Sequence, residues 1–156
     1  MKKLNVFLLI VLLLMIAFVV YFFAGGALRV ESSVITAPAA EHAEAFASIR
    51  SVLSSNAAPQ RFADALPESA DGLTLVDVTL TLSNPGLFPA EWLDLTVSPA
   101  DGDVAVYSLT GEGGDVPGRS TATVNLKLLT AAGSASRTVT IQYYVFGLTR
   151  TVTVRV

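Results

Sequence analysis

Val76-Asp77-Val78-Thr79-Leu80-Thr81-Leu82-Ser83 alternates apolar and polar residues without a break. Period two predicts a β-strand with one face buried and the other solvated. Asn84-Pro85-Gly86 ends it, because Pro cannot donate to a ladder and Gly tolerates a turn. The same alternation recurs downstream. Leu93, Leu95 and Val97 form one apolar set and are closed by Pro99-Ala100-Asp101-Gly102. Asp103 to Thr110 has apolar groups on both faces and is followed by a loop from Gly111 to Gly118. Ala122, Val124, Leu126 and Leu128 alternate with Thr121, Thr123, Asn125 and Lys127, and Ala131 to Ser136 is a turn. Val139, Ile141, Tyr143 and Val145 follow, Gly147 marks a hairpin, and Val152, Val154 and Val156 finish the chain. Strands at this spacing, six of them from Leu73 onward and a seventh if Leu28 to Ile35 contributes one, predict a mainly β fold. The arrangement expected is an antiparallel two-layer immunoglobulin-like sandwich over residues 73–156. Leu80, Leu126 and Ile141 are expected at mid-strand in its core.

Upstream, Val6 to Ala24 contains no charge, Gly or Pro. As a helix it is roughly 28 Å long, close to the hydrocarbon thickness of a bilayer. Two of the 10 basic residues, Lys2 and Lys3, precede this run, and all 13 acidic residues follow it. The positive-inside rule therefore predicts a single-pass signal anchor: a cytoplasmic stub at 1–5, a transmembrane helix at 6–24 and an extracytoplasmic remainder in the cell membrane. Tyr21, Phe22 and Phe23 fall where aromatic rings anchor at an interface. The competing reading is a cleaved signal peptide, for which Ala24-Gly25-Gly26-Ala27 is small enough, although the run exceeds the usual apolar length of such peptides.

Residues 25–72 form a juxtamembrane segment with a helical insert. Thr36 reads as a helix cap before Pro38, and Phe46, Ile49 and Leu53 make one apolar stripe that Asn56 stops. Pro59 to Leu66 reads as a second short helix pairing Phe62 with Leu66. The insert is expected to pack at an edge or end of the sandwich and cover an open strand.

Residues 73–156 resemble the immunoglobulin-like envelope modules of the CARDB (cell-adhesion-related) type. The resemblance rests on Val78-Thr79-Leu80-Thr81-Leu82-Ser83-Asn84-Pro85-Gly86, on Ala90 and on Val116-Pro117-Gly118-Arg119-Ser120. The Asn84-Pro85 pair, the later Pro-Gly-x-Ser and the terminal hairpin also resemble the WHy domains of late-embryogenesis-abundant proteins. Both resemblances imply a β-sandwich without catalysis, and neither transfers a functional residue.

The residue inventory points the same way. With no Cys there is no disulfide, thiolate metal site or Cys nucleophile. His42 is the single His and shares a helical face with Phe46, Ile49 and Leu53; a metal site needs several ligands. No Gly-x-Ser-x-Gly surrounds any Ser. Asp101-Gly102-Asp103 lacks the further acids and closing Glu of a calcium loop and reads as an acidic turn. Glu112-Gly113-Gly114-Asp115 has no Lys-Ser/Thr after it and its acids repel phosphate. No enzyme, metal or cofactor is expected, and the acidic exported segment disfavours nucleic acid and anionic lipid.

Strand parity brings the loops 84–89, 111–119 and 146–149 to one end of the sandwich, opposite the turns 99–102 and 131–136. The first end carries Leu87, Phe88, Phe146 and Leu148, with Trp92 pointing outward beside inward Leu93. Two readings are open: these groups are a partner-contact surface, or they fold inward and cap the core. The function expected is a membrane-anchored, non-catalytic binding or structural module whose partner is another protein of the cell envelope. The alternatives are a WHy-like protective or apolar-ligand-binding domain near the membrane, and an accessory domain or enzyme of envelope metabolism.

Overall fold

A computed structural model describes residues 2–24, 27–65, 67–133 and 135–156; the side chains of residues 2 and 22–24 lie outside the description, as do Gly25, Gly26 and Leu66. The apolar run forms helix α1 (Lys2–Ala24). Among the described residues eight strands follow: β1 (Arg29–Pro38), β2 (Gln60–Arg61), β3 (Thr74–Asn84), β4 (Glu91–Ser98), β5 (Asp103–Thr110), β6 (Ser120–Thr130), β7 (Thr138–Val145) and β8 (Leu148–Arg155), with α2 (Ala43–Ser54) between β1 and β2. They build an immunoglobulin-like sandwich of two antiparallel sheets, ordered β1-β3-β6-β5-β2 and β4-β7-β8.

The alternation does what its period demands. Val78 sits opposite Leu126, and Leu80 opposite Val124, in the β3–β6 pair. Leu95 sits opposite Ile141 across β4–β7. These faces meet between the sheets, where Leu80, Leu126 and Ile141 are each no more than 1% exposed. Burying such side chains fully stabilises the fold by about 1.5–3 kcal/mol each.

Three local expectations are corrected. Thr36 caps no helix: β1 runs through it to Pro38, paired with β3 from Arg29↔Ser83 to Pro38↔Thr74. An edge strand tolerates Pro38 because one side of its backbone needs no partner. After a 3-10 turn at Ala39–Glu41, α2 begins at Ala43 with His42 at its N-cap and no side-chain cap. Second, the insert covers strand edges through residues 60–61, while α2 itself covers none. Its stripe of Phe46, Ile49 and Leu53 lies on the outer face of the larger sheet, against Ala105 and Leu129. Asn56 then ends the helical stretch in the left-handed region at φ 56°, its N–H on the Leu53 carbonyl. Third, the described part of 59–66 holds no helix. Gln60 and Arg61 pair with Val106 and Ala105 as β2, and the Phe62 and Ala63 amides both donate to the Val104 carbonyl.

The outer edge of β4 is sealed without a strand. The Gln60 side chain donates to the Leu95 carbonyl (2.9 Å) and accepts from the Val97 amide (3.0 Å). Leu93 exchanges backbone bonds with Gly113 and Gly114, and the Trp92 amide donates to Asp115 Oδ1 at 3.0 Å. A side-chain amide carries N–H donors and a carbonyl acceptor side by side, so Gln60 reproduces what a neighbouring strand offers.

Candidate functional site

The sandwich has two ends of opposite chemistry. β1 leaves the neighbourhood of α1 beside Ser83, so that end is called near and the opposite one far.

At the near end, Asn84 ties the loops together. It is 2% exposed. Its side-chain nitrogen donates to the carbonyls of Phe88 (2.8 Å) and Val116 (3.0 Å), and its oxygen accepts from the Gly86 amide (2.9 Å). Ala90 and Val116 form a two-way backbone bridge, and the Arg119 amide donates to the Gly86 carbonyl. Loops 84–89 and 111–119 are thus one unit. Gly118 sits so close beneath it that a Cβ there would collide with the Leu87 carbonyl oxygen. Phe88 brings in the third loop: its ring lies 4.3 Å from that of Phe146, centroid to centroid.

The five candidate residues divide. Phe88 is half-buried and packs on the main core. Leu87, Trp92, Phe146 and Leu148 are exposed, by 51, 70, 59 and 48%. Two of these sit in costly backbone conformations. Phe146 and Gly147 both have positive φ (54° and 71°), the pattern of a two-residue type I′ hairpin that favours Asn-Gly. Trp92 has φ 54°, where the β4–β7 register shifts between Glu91 and Asp94. A bulge of this kind re-aims a side chain, and it turns the indole out beside Glu91, Tyr144 and Gly147 around an open groove of about 420 Å³.

The near end also meets α1. The Leu87 amide donates to the Tyr21 hydroxyl (3.1 Å), and Phe88 meets Phe18 edge-on with centroids 6.4 Å apart. Leu28 is 3% exposed within the core, and its amide donates to the Tyr143 hydroxyl at 3.1 Å.

The far end holds a cluster that sequence reading missed. Asp103 and Arg137 form a buried pair, Nη2 to Oδ1 at 2.6 Å, with Nε reaching both carboxylate oxygens (3.0 and 2.8 Å). Arg137 also donates to Thr130 Oγ1 and to the Ala135 carbonyl, while the Ala100 amide donates to Asp103. Burial pushes the Asp103 carboxyl up; the bonds from Arg137, Thr130 and Ala100, with the charge of Arg137, outweigh it and hold the group below its ordinary value. Among the described residues no buried side-chain nitrogen or oxygen lacks a partner, and such satisfaction marks the cluster as a structural lock. The acidic turn expected at 101–103 is therefore half right: Asp101 is exposed, and Asp103 is the anchor of Arg137. Only Gly102, which lets the turn close, gave a signal in sequence; the partner lies 34 residues away.

Among the described residues no group of three His, Cys, Asp or Glu side chains is placed to hold a metal ion. His42 is exposed, and its carbonyl accepts from the Phe46 amide.

No protein-family model and no curated protein sequence matches the chain. Solved structures similar to it include the GAE domain of yeast GGA1, at 14% identity and TM-score 0.41, covering 58% of this chain and 94% of that one. Northeast Structural Genomics Consortium target SoR45 is similar at 15% identity and TM-score 0.44, covering 83% and 85%. The FixG-related protein of Vibrio parahaemolyticus is similar at 15% identity and TM-score 0.36, covering 81% and 93%. The two-sheet architecture rests on the strand pairing described above, and fold alone assigns no role.

Proposed function

We propose that the chain is a single-pass membrane protein whose extracytoplasmic sandwich is a non-catalytic binding module of the cell envelope, with the near end as its contact surface. One observation carries this reading: the apolar helix runs into the near end, where Tyr21 and Phe18 meet Leu87 and Phe88. Lys3–Tyr21 is long and apolar enough to cross a bilayer and none of it is buried by the sandwich. Lys2 and Lys3 favour a cytoplasmic N-terminus. The joining of the Asn84-Pro85-Gly86 turn to the Val116–Arg119 loop supports a place among CARDB-type modules.

The test is intact mass on protein isolated from membranes, with protease accessibility of intact cells. Retention of residues 1–26 and digestion of the sandwich from outside are expected. A mature species starting near Gly25 to Leu28 overturns the anchor.

A crevice of about 250 Å³ between the sheets favours a second reading, an apolar-ligand domain. Val34, Val76, Val78, Leu126, Leu128 and Val156 line it. It lies just below the usual size of ligand pockets. A lipid retained stoichiometrically in native mass spectrometry would select this reading.

A further inference from the structure

We infer that the contact partner of the near end is the lipid interface of the membrane in which α1 sits, so that the sandwich is seated on the bilayer through Leu87, Phe88, Phe146 and Trp92. The inference rests on the anchor reading above and names the partner of that same surface.

Four observations converge on it. The first is depth. The candidate span ends at Tyr21. Its length of roughly 28 Å matches the hydrocarbon core, which puts the Tyr21 hydroxyl at the headgroup boundary, where Tyr and Trp are enriched. The Leu87 amide is bonded to that hydroxyl, and Phe88 reaches Phe18, one turn deeper in the span. Any bilayer that contains α1 meets this loop.

The second is tether length. α1 ends at Ala24, and Leu28 is already fixed in the sandwich core with its amide on Tyr143. Four residues of chain reach at most about 14 Å. This link holds Leu28 within about 14 Å of the end of α1.

The third is side-chain chemistry. Two of the exposed groups are aromatic and one is the single Trp of the chain. Such rings favour the boundary between hydrocarbon and headgroups, and exposed apolar loop tips otherwise lower solubility.

The fourth is backbone conformation. Phe146 occupies a type I′ position suited to Asn, and Trp92 a left-handed bulge position. Local backbone preference favours a different residue at both places, and the fold nonetheless presents exposed aromatic rings there.

Trp92 supplies its own probe. The full-length chain is reconstituted in phosphatidylcholine vesicles, and carbonate extraction first establishes that it stays in the membrane. Tryptophan emission is then measured with acrylamide and with lipids brominated at graded depths. Blue-shifted emission, several-fold protection from acrylamide and strongest quenching by bromines near the headgroup are expected. Phe146→Trp in a Trp92→Phe background should report the same. Leu87→Ser with Phe146→Asn should return Trp92 emission toward that of exposed indole while the chain stays membrane-bound and folded by circular dichroism. An anchored chain whose Trp92 is fully accessible to acrylamide and untouched by brominated lipid overturns the inference and leaves the anchor standing. Protection seen in native membranes but absent from pure lipid vesicles also overturns it and assigns the surface to a protein. A chain extracted by carbonate overturns the anchor, and the inference with it.

Discussion

The two ends of the sandwich solve the same problem in opposite ways. Strands must turn at both, and turns expose polar backbone and break the core. The far end closes on itself: Asp103, Arg137 and Thr130 satisfy one another and nearby carbonyls. The near end satisfies its backbone through Asn84 and leaves Leu87, Trp92, Phe146 and Leu148 in the open. The contrast separates two reasons for a residue's presence. The far end is polar and buried, and the near end apolar and exposed.

The largest effect to test lies at the far end. Asp103→Asn leaves Arg137 buried without a counter-charge and should cost about 3–5 kcal/mol in chemical denaturation. The pair also sets an acid limb. Asp103 is held below its ordinary value, so its contribution is complete above the ordinary carboxylate range and is lost as pH falls below about 4 and through the depressed folded value. Asp103→Asn should flatten that limb; a variant with an unchanged acid limb would remove the lock from the comparison.

Next in size is the common core between the ends. Ile141→Ala should cost about 2–5 kcal/mol, read from the same denaturation curve. An unchanged midpoint would break the register that assigns residues to each end.

Gly118→Ala is smaller and sharpens the near end. Its methyl collides with the Leu87 carbonyl, so loop 84–89 must shift, at about 1–3 kcal/mol. Trp92 emission in vesicles should move with it.

The smallest effect has the opposite sign. Phe146→Asn puts a residue that tolerates φ of 54° into the type I′ turn and should raise stability by up to about 1 kcal/mol. A loss of several kcal/mol would mean that Phe146 caps the core, and the near end would then resemble the far one.

Much of this architecture was legible in sequence because period two is a local property. Val76 to Leu82, Leu93 to Val97, Ala122 to Leu128 and Val139 to Val145 announced their inward faces. Parity alone brought Leu87, Phe88 and Phe146 to one end. What escaped is what a second layer adds. Leu75 and Leu129 lie outside the alternating sets, on the outer face that α2 covers. Gln60 looked like part of a helix and serves as a strand's stand-in beside β4. The Asp103–Arg137 lock joins two turns that no spacing relates. The positive φ at Trp92 and Phe146 is invisible without dihedral angles.

The length of β3 has a further consequence. Its 11 residues extend about 37 Å from one end of the domain to the other. With the near end seated on lipid, the far end stands several Debye lengths above the surface, since screening at physiological salt acts over about 8 Å. Arg29 and Arg119, at the near end, sit inside the electrical double layer of any charged membrane. Glu41, Asp71 and Asp101, at the far end, stand in bulk electrolyte. A change in lipid charge is felt at one end of this molecule and goes unnoticed at the other.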